Sequence, residues 1–436
     1  MKDCPLHYSP TEERLMDAMS AMDIIDCHEH LPPEKQRTGE PQDVFTLFSH
    51  YTRHDLFSAG MDRDADNLNP FDVRRPVYES LFDQRIPLAK RWATFEPYWE
   101  RIRHGSYARA AILTARMVYG VGEISGRTFA ELSERIAAEN TPGIYRRILS
   151  DRCRIKASLT QNALHDCEAP LVPVVWHLDK SYFRTPKALA ALCAEHGWQV
   201  RDLADCLALI GRHLDDAVAA GAVGMKTYVG RSPKPDAAAA EDCLKKVLGG
   251  GTVEPDEYGG DPLGNYLLHH AIDMAAERNM VIAIHAGVWG DFRQIDCKHL
   301  LDLSLTHPHA DIDLNHLGMP SLRDAIMIAK NKPNVFLNLC WCPIVSQVQT
   351  CSGIDELLDE VPVNKILGFG GDYGRPIEKI VGHLHMAREN FARVFGARID
   401  RGLMSEGDAR SILRLWFWDN PLALYKRLKQ VVGRQR

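Results

Sequence analysis

Short apolar runs alternate with amphipathic helical stretches along most of the chain. The apolar runs, each typical of a buried strand, cover residues 22–30, 152–159, 169–178, 222–229, 280–287, 310–318, 334–341 and 364–372. Helical periodicity lies between most of them, at 186–196, 201–220, 263–279, 320–331 and 376–395. This order is typical of βα units on a parallel sheet, and eight such units predict an α/β fold, a (β/α)8 TIM-like barrel. An open doubly wound sheet is the alternative, but no glycine-rich phosphate loop follows any run.

Two segments depart from this alternation. Residues 31–150 form a long insertion after the first strand, rich in arginine, aromatic and helix-forming residues. We expect this insertion to be a helical cap at the barrel mouth, with an amphipathic helix over 43–61. Residues 231–265 form a smaller insertion, with proline and glycine loops around a short helix. The chain, 1–436, is thus predicted to be a single barrel domain that carries two additions.

Polar residues stand at the carboxyl ends of the predicted strands. The first run ends in HEH, and since alternate residues of a strand share a face, His28 and His30 would point together. Two imidazoles on one wall form half of a divalent-metal site. Five later runs carry Lys226, His285, His316, Trp341 and Asp372. Because the strand ends of a barrel meet at one rim, this set predicts a metal site there.

Composition and charge exclude several classes of function. The 436 residues are 45% hydrophobic and 25% charged, as in ordinary soluble proteins. A net charge of −6 and a pI near 6.3 argue against nucleic-acid or membrane partners. No apolar run approaches the ~20 residues of a membrane span, and the first residues lack the apolar core of a signal peptide. Eleven irregularly spaced cysteines indicate reduced thiols. We therefore expect a cytoplasmic homo-oligomer that acts on a small molecule.

The motifs as a set resemble the amidohydrolase superfamily. The resemblance consists of HxH on strand one, histidine on strands five and six, and aspartate on strand eight. The segments HLGMP, from His316, and GFGGDYG, at 368–374, resemble its amidohydrolase-related branch. That branch includes hydrolases and non-oxidative decarboxylases, so the resemblance implies a metal-dependent enzyme.

The organisation of the chain is also similar to that of the uronate isomerases of the same superfamily. The similarity covers the large insertion, SHYTRHDLFSAGM at 49–61, a tryptophan on strand seven and the closing WFWDNPLALY. Two motifs differ, since the isomerases' Asp-His-Gly after strand four is replaced by MKTYVG and their Asp-Ser-Arg on strand eight by GDYGR.

The resemblance implies roles for the polar residues. His28, His30, His285 and Asp372 would bind one divalent ion, with zinc expected first and manganese or iron as alternatives. Such an ion lowers the pKa of water to about 7, Asp372 would accept the proton, and His316 would assist the substrate oxygen. The predicted function is a metal-dependent hydrolase in which hydroxide attacks a small polar or carboxylate-bearing substrate. The alternatives are an aldose–ketose isomerase and a non-oxidative decarboxylase. A catalytically inactive binding barrel is disfavoured because the ligand set is complete.

Candidate substrate-binding residues surround this set. Lys226 has three alternative roles: a carboxylated bridge between two metals, a partner of a substrate carboxylate, or a partner of a neighbouring acid. We expect an unmodified lysine and a single ion. Trp289 and Arg293 after strand five, Trp341 on strand seven and Arg375 after strand eight would shape the pocket, and the arginines could clamp an anionic substrate.

Overall fold

The fold is described by a computed structural model, which covers residues 7–63, 75–161 and 171–432. Within these residues, eight β-strands overlap the eight predicted runs. They are β1 Ile24–Glu29, β2 Ile155–Thr160, β3 Val175–His177, β4 Gly224–Tyr228, β5 Val281–His285, β6 Ile312–Leu314, β7 Val335–Asn338 and β8 Ile366–Leu367. Residues 64–74 of the insertion, and 169 and 170 of the third run, lie outside the described residues.

Helices separate the strands and fill the long insertion. In chain order they are α1 Pro10–Ser20, α2 Glu34–Gly39, α3 Arg53–Ser58, α4 Pro76–Ser80, α5 Leu88–Ile102, α6 Ser106–Tyr119, α7 Phe129–Glu139, α8 Pro186–Glu195, α9 Leu203–Ala219, α10 Ala237–Leu248, α11 Pro262–Glu277, α12 Leu300–Thr306, α13 Leu322–Asn331, α14 Cys342–Val345, α15 Gln347–Glu360, α16 Lys379–Asp400, α17 Glu406–Arg414, α18 Asn420–Leu424 and α19 Leu428–Val432. None of the described helices is long and apolar enough to cross a membrane.

The chain divides into two compact units, each built from separate segments. Unit 1 comprises the described residues of 1–158, 340–356 and 368–418. Unit 2 comprises those of 159–339, 357–367 and 419–436. The sequence pattern does not indicate this division.

Unit 2 contains a six-stranded parallel sheet in the order β3-β4-β5-β6-β7-β8. Each strand therefore pairs with its successor, as expected for consecutive βα units. In the β4–β5 ladder, Gly224 lies opposite Val281 and Tyr228 lies opposite His285. Because all six strands are parallel, their carboxyl ends lie at one edge of this sheet, and residues that follow the strands share that edge.

The crossover helices of unit 2 begin at capping residues. The Asp202 side chain accepts the backbone N–H of Asp205 before α9, and the Asp261 side chain accepts that of Gly264 before α11. Each such cap stabilises its helix by about 1 kcal/mol. Pro262 also favours the first turn of α11, because its φ suits a helix and its missing N–H is not needed there. The buried face of α9 then follows helical spacing through Leu203, Cys206, Leu209, Ile210, Leu214 and Ala217.

Unit 1 contains the β1–β2 pair and the helices of the insertion. The segment after β8 runs alongside β1. The backbone N–H of Cys27 donates to Phe369 O at 3.0 Å, and that of Asp372 donates to His28 O at 2.7 Å. This alignment positions the last residues of β1 beside Asp372.

The prediction of one amphipathic helix over 43–61 is wrong. The segment forms 3₁₀ turns at Val44–Phe48 and His50–Thr52, followed by α3. All five residues from Val44 to Phe48 are buried, so no polar face is exposed to water there. Asp43 caps the first turn through the N–H of Phe45, and His50 has a φ of +60°, which interrupts helical geometry.

Candidate metal centre

The centre of unit 1 is built from β1 and the segment after β8. The Nε2 atoms of His28 and His30 lie 3.2 and 3.1 Å from the same oxygen, Oδ1 of Asp372. His28 and Asp372 are buried, whereas the side chain of His30 is 31% exposed. Two imidazole nitrogens and a carboxylate oxygen therefore converge at a point that solvent reaches from the His30 side.

The position of Asp372 depends on a tight backbone approach. Its φ is +56°, and the preceding Gly371 donates its N–H to Asp26 Oδ1 at 3.0 Å. The next residue, Tyr373, donates its N–H to Glu29 Oε2 at 2.5 Å. A Cβ at position 371 would lie only 1.8 Å from Glu29 Oε1, so glycine is required there. The carboxyl groups of β1 thus hold the backbone on both sides of Asp372.

Those two carboxyl groups form a buried pair beneath the ligands. Burial raises the pKa of Glu29 well above its usual value, and the charge of Asp26 raises it further. Burial also raises the pKa of Asp26 to about 6, against the lowering effect of hydrogen bonds from Glu29, Gly371 and other donors. Glu29 is therefore protonated at neutral pH and acts as the donor within the pair, while the Ser158 hydroxyl donates to Asp26 Oδ2 at 3.1 Å.

Asp372 has the opposite ionisation behaviour. Burial raises its pKa, but the adjacent His28 and His30 outweigh burial and hold the pKa well below its usual value. Asp372 is therefore a carboxylate at neutral pH.

Aromatic and imidazole rings line the same region of unit 1. The Trp341 indole N–H donates to the Tyr107 hydroxyl at 2.9 Å, and its ring lies 4.9 Å from that of Tyr373 and 6.0 Å from that of His50. The His50 ring is 6.2 Å from that of His30. Burial lowers the pKa of His50 to about 3, so this imidazole is neutral.

His50 was not among the predicted site residues. Its only signal in the sequence is its position in SHYTRHDLFSAGM, the segment that resembles the uronate isomerases.

Unit 2 brings together the histidines of strands five and six. His285 ends β5 and His316 follows β6, where its φ is +62°. His316 Nε2 lies 3.0 Å from His285 Nδ1, and both side chains are buried. One of these two nitrogens donates to the other. This hydrogen bond fixes the orientation of the His285 ring and occupies Nε2 of His316.

Lys226 lies on β4 of unit 2 and is only 1% exposed. It is close to Asp313, which also accepts the Tyr425 hydroxyl at 2.7 Å and the Asn338 amide at 3.0 Å. Burial raises the pKa of Asp313 to about 6, and these donors and Lys226 oppose the rise. Of the three predicted roles of Lys226, this location favours the pairing with a neighbouring acid.

The remaining candidates lie nearer the surface of their units. Arg293 is 62% exposed and pairs with Asp291 at 2.5 Å, and Arg375 is 56% exposed and pairs with Glu40 at 3.4 Å. Trp289 is half-buried. Substrate binding by these three residues, and by Trp341, stays a prediction.

Comparison with known proteins identifies the family. A family model described as "Amidohydrolase" matches residues 179–427, more than half of the 436-residue chain. The chain belongs to the amidohydrolase family. The matched part of this amidohydrolase includes His285, His316 and Asp372, while His28 and His30 precede it. A search of curated proteins finds no significant match.

Solved structures resemble the amidohydrolase over nearly its whole length. A uronate isomerase from Thermotoga maritima has a TM-score of 0.78 at 15% identity, over 97% of this chain and 100% of that one. A glucuronate isomerase from Caulobacter crescentus has a TM-score of 0.68 at 18% identity, over 98% and 96%. A provisionally named metal-dependent hydrolase from Lactobacillus casei has a TM-score of 0.63 at 16% identity, over 96% and 98%.

Identities this low show a shared fold alone. Together with the family match, they confirm the predicted fold class, an α/β (β/α)8 TIM-like barrel with a large helical insertion after strand one. Within the described residues, the strands form sheets of two and six members rather than one continuous closed ladder. The family match also confirms that the chain belongs to an enzyme family.

Proposed function

We propose that this amidohydrolase is a metal-dependent hydrolase of a small polar or carboxylate-bearing substrate. One observation carries the proposal: the imidazoles of His28 and His30 both face Oδ1 of the ionised Asp372, at 3.2 and 3.1 Å. This is a nitrogen and oxygen donor set of the kind that binds zinc or a similar divalent ion.

The spacing of these donors fits such an ion. Donors about 2.05 Å from a tetrahedral ion lie about 3.3 Å from one another. The two Nε2–Oδ1 distances, 3.2 and 3.1 Å, are close to that value, so the spacing of each histidine from Asp372 suits a bridging cation. An ion bound there would act as a Lewis acid and lower the pKa of water to about 7. The assignment of His285 as a further ligand stays a prediction.

The residues of unit 1 support a proton-transfer role for Asp372. Its carboxylate is ionised at neutral pH and buried, so it can accept a proton from water and return it to a leaving group. The Asp26–Glu29 pair binds the backbone on both sides of Asp372 and restricts its movement. His50 is neutral and buried near His30, so it adds no positive charge beside the donors.

An aldose–ketose isomerase is the second candidate function. The observation that favours it is the likeness to uronate and glucuronate isomerases over nearly the whole of both chains, the insertion after strand one included. Asp372 could also move a proton between adjacent carbons. The replacement of the isomerases' strand-four and strand-eight motifs by MKTYVG and GDYGR favours the hydrolase.

The proposal is tested by metal analysis followed by a substrate screen. Protein stripped with chelator is reloaded with zinc, manganese or iron and assayed against esters, amides, lactones and uronates. We expect metal-dependent turnover of an ester, amide or lactone by the wild type. His30→Ala should lose the ion held beside His28 and Asp372 together with turnover, whereas His104→Ala, which alters an exposed histidine of unit 1, should lose neither. Metal-independent turnover, or full metal content in His30→Ala, would overturn the proposal.

A further inference from the structure

Unit 2 contains a second group of ligand-type side chains, at the edge of its sheet opposite His285 and His316. Asp273 lies on α11, and His307 and His309 lie in the turn between α12 and β6. The turn precedes β6, so it is at the amino-terminal edge of the parallel sheet. One potential ligand atom from each of the three residues lies within 4.8 Å of the others.

The three side chains meet at one carboxylate oxygen. His307 Nδ1 lies 2.5 Å from Asp273 Oδ1, and His309 Nε2 lies 3.1 Å from the same atom. The His307 side chain is 3% exposed, whereas those of Asp273 and His309 are 43% and 55% exposed. The group therefore has one buried, fixed member and two members that are open to solvent.

Hydrogen bonds on the side of the His307 ring away from Asp273 indicate which of its ring nitrogens carries hydrogen. His269 Nε2 lies 3.1 Å from the carbonyl oxygen of Pro233, which can only accept, so this nitrogen carries the hydrogen of a neutral ring. The bare Nδ1 of His269 then accepts from His307 Nε2, 2.7 Å away. A neutral His307 is consequently left with a lone pair on Nδ1, which faces Asp273 Oδ1. Two acceptors face each other there at 2.5 Å, and a cation bonded to both removes the conflict once they separate to the ~3.3 Å expected of two zinc donors.

The turn that carries the two histidines is held in place independently of the cluster. The Asn334 amide donates to the carbonyl oxygens of His307 at 3.0 Å and Ala310 at 3.1 Å. Asn334 itself is buried. His307 and His309 are thus presented by an ordered backbone, with the intervening proline restricting it further.

We propose that Asp273, His307 and His309 bind a second divalent metal ion of the zinc class. Two imidazoles and one carboxylate are typical zinc ligands, and water from the exposed side would complete the coordination. The His307–His269–Pro233 chain is the outer arrangement expected of a metal-binding histidine, which donates its other ring N–H to a neighbour. A shared proton would also remove the conflict between His307 and Asp273, with His309 then paired to the same carboxylate, and zinc stoichiometry distinguishes the two arrangements.

The test measures zinc stoichiometry on the full chain. Chelator-stripped protein is equilibrated with zinc, and bound zinc per chain is measured for the wild type, His309→Ala, Asp273→Ala and the control His104→Ala. We expect His309→Ala and Asp273→Ala each to bind one ion fewer per chain than the wild type and His104→Ala. Crystals grown with zinc should show an anomalous peak bonded to Asp273, His307 and His309.

The comparison with the centre of unit 1 keeps the two proposals separate. His30→Ala should lose the ion of unit 1 and keep this one, so either site can fail without the other. Equal zinc content in the wild type, His309→Ala and Asp273→Ala, with no anomalous peak at the cluster, would overturn this inference and favour the shared proton.

Discussion

Gly371→Ala tests how the position of Asp372 is maintained. The new Cβ would lie 1.8 Å from Glu29 Oε1 and 3.3 Å from Ile380 Cγ1. A carbon atom needs about 3.5 Å from a neighbouring heavy atom, so Cβ and Oε1 must separate by about 1.7 Å. Glu29 cannot move that far without losing the hydrogen bond from Tyr373 N–H. The alternative is a backbone shift at 371 and 372, which displaces Asp372.

The expected loss in the free energy of unfolding of Gly371→Ala has two parts. Overpacking costs about 1–3 kcal/mol, and a lost hydrogen bond to a buried donor costs about 1–3 kcal/mol. We therefore expect Gly371→Ala to lower the free energy of unfolding by about 2–6 kcal/mol. Since Asp372 is displaced, zinc affinity should also fall by about 10–100-fold.

The assays are urea unfolding followed by tryptophan fluorescence, and zinc binding by calorimetry. Gly122→Ala is the matched control, because nothing lies within 4 Å of a Cβ there, and its stability should change by less than about 1 kcal/mol. In a Glu29→Ala background, the cost of Gly371→Ala should fall by about 0.5–3 kcal/mol, since the clashing oxygen is gone. A Gly371→Ala protein within about 0.5 kcal/mol of wild type, with unchanged zinc affinity, would refute this reasoning.

Three further predictions concern charge and metal binding. Burial lowers the pKa of Lys379 from 10.5 to about 7, against the raising effect of Asp55, so between pH 7 and 10 the unfolded chain binds more protons. The free energy of unfolding of the wild type should therefore rise with pH by about 1.4 kcal/mol per unit relative to that of Lys379→Met. The same pH dependence of the free energy of unfolding in both proteins, measured by urea unfolding, would contradict this prediction. His285→Ala should bind one zinc ion fewer per chain than the wild type without loss of helical circular dichroism, and zinc content equal to that of the wild type would remove His285 from the ligand set. Asp372→Asn should lower kcat at least ~10²-fold with little change in KM, and near-normal kcat would exclude Asp372 as the proton acceptor.

The fold was predictable because its signals are local. The period of two in β1 predicted that His28 and His30 share a face, and consecutive βα units predicted the strand order of unit 2. The prediction for the segment 43–61 was wrong because five consecutive residues are buried there, and a sequence pattern cannot distinguish this from one face of an amphipathic helix.

The parts of the site that the sequence did not reveal depend on long-range contacts. The backbone amides that bind Asp26 and Glu29 lie more than 340 residues away, so the carboxyl pair could not be inferred from β1 alone. The sequence HPH at 307–309 does not reveal Asp273 as a partner, because these residues come together only when α11 packs beside the turn.

Isotope incorporation from solvent tests the hydrolase proposal most directly. The zinc-loaded wild type is incubated with the panel compound that it turns over, once in ¹⁸O-enriched water and once in deuterium oxide, and the products are analysed by mass spectrometry and NMR. A hydrolase must place one solvent oxygen in a product, so we predict ¹⁸O incorporation with no deuterium on carbon. Product that carries solvent deuterium on carbon and no ¹⁸O from the catalysed step would contradict hydrolysis and indicate isomerisation or decarboxylation.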